Sequence, residues 1–383
     1  GGGEGGGGAG RRCFPPFLCR RSDATLPFCV SFEPERTLRM RDFTCPKCGQ
    51  HLTFENSLCL SCGSRLAYSS DKATMVLVDE QSFSLCANSV IAQCNWLIES
   101  GSATSVGGLC ASCRLTRTRP SDSDVAGMAR FAVAENAKRR LVAELIELRL
   151  PIVDRTQDPQ FGLAFDLLSS TDEKVVTGHE DGVVTLDLAE SDDVRREELR
   201  VALDEPYRTL LGHFRHETGH AYFHRLVGGW SQRSSEFADL FGDPDRDYQQ
   251  ALDRHYSAGP PPDWSTRHVS SYASMHPAED WAETFAHYLH IRDTLDTAAS
   301  FGLAPAAGAF DLLHLGPSRF DTLIGMWLPL AWSLNMINRS MGRADLYPFV
   351  LPPPVLEKMR FVHTVIDNAV VFTETQPRTR HAQ

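Results

Sequence analysis

Residues 206–220 read PYRTLLGHFRHETGH, and this is the stretch that decides the fold of the chain. Its last five letters, from His216 to His220, match the pattern His-Glu-x-x-His. Residues four apart lie on one face of a helix, so both imidazoles can reach one zinc ion, with Glu217 beside a water on that ion. Zinc lowers the pKa of such a water to about 7, and Glu217 can then take its proton. The pattern therefore predicts a catalytic helix.

The surroundings of the motif favour this interpretation over a chance match on the exposed face of an ordinary helix. The helix is predicted to begin near Pro206, because proline is favoured at the first helical position, and to end at Gly228 and Gly229. Two further histidines on it, His213 and His224, are interpreted as hydrogen-bonded neighbours and not as ligands. Apolar residues flank the motif, namely Leu210, Leu211, Phe214, Tyr222 and Phe223.

A third zinc ligand must come from elsewhere in the chain. The extended motif with a later glycine and a third histidine is excluded, because Phe223 and Leu226 occupy those two positions. Residues 276–290, HPAEDWAETFAHYLH, predict a later helix that starts with a proline and an acidic first turn. Glu279 and Glu283 share a face of this helix. One of them can bind zinc while the other accepts the N–H of a ligating histidine.

This acidic pair downstream of His-Glu-x-x-His resembles the gluzincin pattern of thermolysin and the lethal-factor-like toxins. The resemblance implies that Glu279 is the ligand and that Glu283 supports a ligating histidine. It also implies that Tyr272 stabilises the oxyanion, although core packing explains a tyrosine there equally well. His276 is an alternative for that electrophilic role. The implied fold class is α+β, a gluzincin-like zincin domain with a small sheet, the motif helix and a helical C-terminal part.

Eight of the eleven cysteines form two sets, and none follows Cys113. The first set has two Cys-x2-Cys knuckles, each followed by a glycine, which predicts a zinc ribbon rather than a redox or disulfide pair. The second set has one knuckle and one irregular pair, and it predicts a second structural zinc. Four sulfur ligands leave no open position, so both sites are expected to be scaffolding. The sets are Cys45, Cys48, Cys59 and Cys62, and then Cys86, Cys94, Cys110 and Cys113.

Charge and hydropathy limit the partners of the chain. The 38 basic and 49 acidic residues give a net charge of -11, which disfavours a nucleic-acid partner. The basic cluster Arg114, Arg117 and Arg119 is interpreted as a solvated basic loop or as a clamp onto the acidic catalytic domain, with phosphate contact as the alternative. Clustered cysteines indicate a reducing compartment, so the expected location is cytoplasmic. The longest apolar stretch, 323–334, is too short for a membrane span and is predicted to be a buried helix kinked at Pro329.

The pattern along the chain predicts five segments. The glycine-rich residues 1–39 are either a disordered extension or a wrongly assigned start. The remaining segments are a zinc-ribbon module over 40–119, a linker and helix over 120–150, a metallopeptidase domain over 151–368 and a disordered tail over 369–383. Helices are predicted over 135–150, 278–298, 318–339 and 355–366, with a short strand run over 51–54 and a strand pair over 161–168 and 182–188. The strand over 182–188 is expected to be an edge that pairs with an extended substrate.

Over residues 42–367 the chain resembles a bacterial family of zinc-binding metallopeptidases with an amino-terminal zinc ribbon. The strings that carry the resemblance include FTCPKCGQHLTFENSLCLSCGSRL, FGDPDRDYQQALDRHY and HPAEDWAETFAHYLH. It supports the fold and the metal sites but supplies no established substrate. The motif and the cysteine sets predict one catalytic zinc and one or two structural zincs, and the peptidase interpretation predicts a protein or peptide substrate. Two alternatives stay open. The site hydrolyses another bond or does not turn over, or the chain is a regulatory module that acts through its ribbon on protein or nucleic acid.

Overall fold

The computed structural model describes residues 42–78, 84–98, 108–170, 175–192, 209–305 and 319–375. The predicted extension, residues 1–39, lies outside these ranges. Across the described ranges the chain is a mixed α/β protein with seven α-helices and three small β-sheets, and its cysteine-rich part comes first.

The first two sheets are antiparallel hairpins in the cysteine-rich part. The strand predicted over 51–54 ends at Leu52, after two residues. Leu66, Tyr68 and Trp96 are buried here, and they belong to the same apolar core cluster as residues of the later helices and sheet. The two hairpins consist of β1 (Phe43–Thr44) with β2 (His51–Leu52), and β3 (Leu66–Ser69) with β4 (Thr74–Leu77).

The third sheet has four strands in the order β5-β6-β8-β7. β6 is parallel to both β5 and β8, whereas β7 is antiparallel to β8. The strand predicted as a substrate-binding edge is β8, which lies inside the sheet, so that prediction is wrong. The edge beside it is β7, a strand of three residues that is too short to show a pattern in the sequence. The strands are β5 (Thr116–Thr118), β6 (Ala164–Leu168), β7 (Gly178–Glu180) and β8 (Val183–Asp187).

The first helix, α1 (Val125–Glu147), begins earlier than the predicted Glu135. The Asp124 carboxylate accepts the N–H of Gly127 at 2.8 Å, which caps the helix and turns most of the predicted linker into its first turns. The helix also ends before the predicted Leu150, because Arg149 adopts a positive φ of 54°.

The motif helix, α2 (Leu210–Phe223), begins at Leu210 and not near Pro206. Thr209 is extended, and its hydroxyl accepts the N–H of Gly212 at 2.9 Å, so Thr209 is the cap. Pro206 itself lies outside the described residues. A wider π-helical turn, His224–Gly228, follows α2 and ends at the predicted glycine pair.

The long helix α5 (Pro277–Ser300) crosses α2 closely. Gly219 makes this possible, because a Cβ at that position would lie 3.1 Å from the Cα of Ala282. The Trp281 indole N–H donates to the carbonyl of Gly219 at 2.8 Å and ties the two helices together at the same point. The crossing sets the first turns of α5 against the motif.

The remaining helices surround this pair. α6 (Arg319–Ser340) runs without interruption through Pro329, and the Ser333 hydroxyl donates to the carbonyl of Pro329 at 2.8 Å. The predicted burial of 323–334 is wrong in part, because Leu328 and Trp332 are exposed. α7 continues past the predicted end at Ile366 into the stretch predicted as a tail. Within the described residues, no helix is both long enough and apolar enough to cross a membrane. These helices are α3 (Ser231–Phe241), α4 (Tyr248–Ala258), α6 (Arg319–Ser340) and α7 (Pro353–Thr375).

Candidate metal centres and active site

Three of the predicted ligand side chains meet where α2 and α5 cross. The His216 Nε2 lies 3.0 Å from the Glu279 Oε2 and 3.2 Å from the His220 Nε2. The His220 Nε2 is 3.4 Å from the other oxygen of Glu279. Tetrahedral zinc with ligands at about 2.0–2.1 Å separates its ligand atoms by about 3.3 Å, so the spacing suits that ion.

Glu283 determines which nitrogen of His216 faces this point. Its Oε1 lies 2.8 Å from the His216 Nδ1, and its Oε2 accepts the Ser270 hydroxyl at 2.6 Å. Burial would raise the pKa of Glu283, but the hydrogen bond from His216 outweighs it and lowers the pKa to about 2. Because this carboxylate holds Nδ1, the Nε2 of His216 is the ring nitrogen that faces Glu279 and His220. A metal-ligating histidine is usually held through its other ring nitrogen in this way.

Glu217, the predicted base, is buried on α2 beside this group. Its Oε1 lies 3.2 Å from the His213 Nε2. Burial alone would raise the pKa of Glu217, but the hydrogen bond from His213 and the neighbouring histidine charges lower it. Glu217 is therefore ionised at neutral pH, which is the state that a general base requires.

Tyr272 lies at the same site, with its ring centroid 6.1 Å from that of His216. Tyr272 lies beside Tyr248, and the Tyr248 hydroxyl donates to the Glu279 Oε1 at 2.9 Å. Burial and the Glu279 charge raise the pKa of both phenols, so both remain protonated donors. Sequence reasoning missed Tyr248, whose helix α4 buries Ala251 alone and shows no motif.

His276, the alternative electrophile, is placed differently from that expectation. Its Nδ1 accepts the N–H of Ala278 at 3.1 Å, and its Nε2 is 3.0 Å from the carbonyl of Arg246. Both ring nitrogens are thus engaged in capping α5 and holding a loop. The prediction of His276 as the alternative electrophile is therefore wrong, because both of its ring nitrogens already have partners.

His179 on β7 is a second residue that sequence reasoning missed. Its ring stacks at 6.1 Å from that of His220, and its Nε2 accepts the N–H of Gly182 at 2.8 Å. Burial and the charge of His220 lower the pKa of His179 to about 4, so the ring is neutral with its hydrogen on Nδ1. The turn at Asp181 and Gly182 was visible in the sequence, but the position of His179 depends on how the sheet packs on α2.

The two cysteine sets also gather as groups. Paired sulfur atoms lie 3.7 Å apart in Cys45–Cys62, 3.6 Å in Cys48–Cys59 and 3.7 Å in Cys94–Cys110. A disulfide has a length of about 2.05 Å, whereas tetrahedral zinc with sulfur ligands at about 2.3 Å separates them by about 3.8 Å. The second set is buried, but Cys48 of the first set is exposed. Both sets can therefore hold a closed zinc site.

The basic cluster at the end of the cysteine-rich part is paired with acidic residues. Arg117 forms a two-point ion pair with Asp166 on β6, with its Nε 2.9 Å from one carboxylate oxygen. Arg114 lies 3.9 Å from Asp154, and Arg119 lies 2.6 Å from Asp122. This geometry fits the clamp interpretation better than phosphate contact.

The fold and the grouped side chains define a zinc-binding class of protein with a zinc-ribbon part, and comparisons with known proteins agree. Residues 127–365 match the family described as "Putative zinc-binding metallo-peptidase", and residues 42–124 match a zinc-ribbon domain. The first match covers more than half of the chain, so the chain belongs to this zinc-binding metallopeptidase family. The resemblance to a zinc-binding metallopeptidase family with a zinc ribbon is thereby confirmed, whereas the gluzincin pattern stays a prediction.

Close relatives occur in mycobacteria. Proteins named as uncharacterized from Mycobacterium tuberculosis strain H37Rv and from Mycobacterium bovis are each 66% identical over 329 residues. The matches span 86% of this chain and 96% of each relative. No solved structure matches the chain.

Proposed function

We propose that the chain is a zinc-dependent peptidase in which His216, His220 and Glu279 hold the ion and Glu217 is the general base. One observation carries the proposal. Nitrogen and oxygen atoms of three side chains converge at the spacing of zinc ligands, on the same helix turn as the buried Glu217.

The donor set suits a catalytic ion. Two imidazoles and one carboxylate leave a fourth position for water or substrate, whereas each cysteine set supplies all four ligands. Bound zinc lowers the pKa of a coordinated water and polarises the carbonyl of the substrate. We expect three zinc ions in each chain, one catalytic and two structural.

The side chains of this protein divide the remaining work. Glu217 accepts the proton of the attacking water and delivers it to the leaving amine nitrogen. Glu283 holds His216 in the tautomer that presents Nε2. Tyr272 donates to the oxygen that becomes negative, and for this its hydroxyl turns away from Tyr248.

The substrate side of the site is formed in part by β7. Within the described sheet, one side of β7 is unpaired, and His179 brings this strand next to His220. An extended peptide can therefore add as a further strand with its carbonyl near the three ligands. The unpaired side of β7 therefore favours a protein or peptide substrate. The paired arginines give no support to the alternative of a nucleic-acid-binding ribbon.

The experiment is a peptide-library and proteome cleavage assay with the full chain, read by mass spectrometry of new amino termini. Wild type should cleave, a zinc chelator should stop cleavage, and added zinc should restore it. Glu217→Gln should keep its zinc but lose about 100- to 10,000-fold in turnover, because an amide cannot accept the proton. The matched control is Glu236→Gln, an exposed glutamate on α3. Release of a zinc by Glu217→Gln, or full activity in that variant, contradicts the proposed mechanism.

A further inference from the structure

His213 lies one helical turn before Glu217 and uses both of its ring nitrogens. Its Nε2 is 3.2 Å from the Glu217 Oε1, and its Nδ1 is 2.6 Å from the Glu190 Oε2. Glu190 lies in a 3-10 turn after β8, and its other oxygen accepts the Thr177 hydroxyl at 2.6 Å. A chain of hydrogen bonds therefore runs from the sheet through His213 to Glu217.

The two carboxylates require a hydrogen on each nitrogen of His213. Both Glu190 and Glu217 are buried, each with 5% of its surface exposed, so water does little to screen them. Burial opposes a charge on the ring, but the carboxylates of Glu190 and Glu217 outweigh it and raise the pKa of His213 to about 9. His213 is therefore an imidazolium at neutral pH.

Among the described residues, His213 is the hydrogen-bond partner that holds the Glu217 carboxylate. The other histidine near the end of this helical segment differs in its contacts. His224 is exposed and stacks on the ring of Phe161 with centroids 4.3 Å apart. His213 contacts Glu217, whereas His224 of the same helical segment stacks on Phe161. The same substitution at the two positions therefore gives a matched comparison.

We propose that His213, held in turn by Glu190, is the positioning residue of Glu217 and keeps its carboxylate aimed at the metal site. This inference rests on the proposed function. The arrangement follows the general logic in which a base is oriented by a third group.

The test measures the binding of acetohydroxamate to the zinc-loaded full chain by isothermal titration calorimetry, together with zinc content. A hydroxamate chelates zinc as an anion and transfers its proton to a neighbouring base, so its affinity reports on Glu217 without any substrate. Glu217→Gln should weaken binding by about tenfold or more. His213→Gln should keep its zinc and weaken binding by about fivefold. His224→Gln should bind as wild type does.

Two further variants distinguish a positioning role of His213 from a purely structural one. The double variant His213→Gln with Glu217→Gln should bind no more weakly than Glu217→Gln alone, because both act through one carboxylate. Glu190→Gln should weaken binding to a smaller extent, and it replaces His213→Gln if that variant does not fold.

The outcomes distinguish failure of Glu217 as the general base from failure of His213 as its positioning residue. Unchanged affinity in Glu217→Gln overturns the proposed general base and with it this inference. If Glu217→Gln weakens binding while both His213→Gln and Glu190→Gln behave like the His224→Gln control, the inference fails and the proposed function stands. Additive losses in the double variant also overturn it, since they mean that His213 acts elsewhere.

Discussion

Two glutamates one turn apart on α5 face different atoms of His216, and this difference underlies the two roles proposed for them. Glu279 lies at the Nε2 side, beside His220, whereas Glu283 lies at the Nδ1 side and also accepts the Ser270 hydroxyl. The two imidazole nitrogens are chemically distinct once one of them carries the hydrogen. A shift of α5 by about one helical turn would therefore exchange the proposed ligand and the proposed supporting acid.

Replacement of each glutamate by alanine should separate these roles. Glu279→Ala should lower the affinity of the histidine site for zinc by at least about a hundredfold, while Glu283→Ala should lower it about 10- to 100-fold through the loss of orientation. Competition with a zinc-chelating dye measures both, with Glu236→Ala as control. A larger loss of zinc affinity in Glu283→Ala than in Glu279→Ala would mean that Glu283, and not Glu279, is the ligand.

His287, one turn after Glu283, should make stability depend on pH. It is buried with its Nδ1 2.9 Å from the Tyr347 hydroxyl, and burial lowers its pKa to about 4. A histidine in the unfolded chain has a pKa near 6.5. Between about pH 4 and pH 6.5 the unfolded chain therefore binds more protons than the folded chain. The stability that neutral His287 contributes is complete above pH 6.5 and is lost as the pH falls through this window.

The comparison is between wild type and His287→Gln in urea unfolding at pH 7.5, 6.5 and 5.5. The difference in free energy of unfolding should narrow on acidification by at most about 1.4 kcal/mol per pH unit. Zinc loss affects both proteins equally and cancels in the difference. A constant difference would show that burial does not shift the pKa of His287.

At the scale of elements, the crossing of α2 and α5 places the ligands, and Gly219 sets how close the two helices come. A Cβ at this position would lie 3.1 Å from the Cα of Ala282 and 3.2 Å from a ring carbon of Phe285. The backbone of α5 must move to relieve the first contact. Since Glu279 is on α5 and the histidines are on α2, any such movement separates the ligands.

Gly219→Ala should therefore destabilise the chain and weaken zinc binding together. Overpacking costs about 1–3 kcal/mol, which exceeds the gain of about 0.5–1 kcal/mol from replacing a helical glycine. Gly325→Ala on α6 is the control, because a Cβ there meets nothing within 4 Å and should stabilise the chain. Thermal unfolding and zinc affinity measure both effects. If Gly219→Ala and Gly325→Ala had equal melting temperatures and zinc affinities, the crossing of α2 and α5 would have space for a Cβ at position 219.

At the scale of the whole molecule, the cysteine-rich part is continuous with the rest of the described chain. Its last strand, β5, belongs to the sheet of β6, and Arg117 pairs there with Asp166. The buried ion pair of Lys138 and Glu135 on α1 lies against the second cysteine set, with the Glu135 carboxylate 3.6 Å from the sulfur of Cys113. The second set is thus part of the support of α1.

Zinc counting tests this view of the whole chain. Elemental analysis under reducing conditions should find three zinc ions. Cys110→Ser and Cys48→Ser should each lose one of them. The buried Cys110 change should lower the melting temperature of the whole chain by about 10 °C or more, and the exposed Cys48 change should lower it less. Equal effects would indicate that α1 does not depend on the second set.

The sequence by itself determined the features whose chemistry is local. Four-residue spacing on a helix brings His216 and His220 to one face, and two-residue spacing closes a cysteine knuckle, whatever the rest of the chain does. Helix starts and ends were less exact, because a cap such as Thr209 or Asp124 depends on one side chain and the backbone next to it. The motif, the family and the class of metal were therefore readable from the residues.

Tertiary structure decided the contacts between distant segments. Glu190 meets His213 from 23 residues away, and Tyr248 meets Glu279 from 31 residues away. The placement of β8 inside the sheet, with β7 at its edge, likewise depends on pairing between segments. Periodicity describes which face of an element is apolar but not which element covers it. The partners of Glu217, Glu279 and His220 follow from packing of the sheet and α4 around the two crossed helices, which is a property of the folded chain.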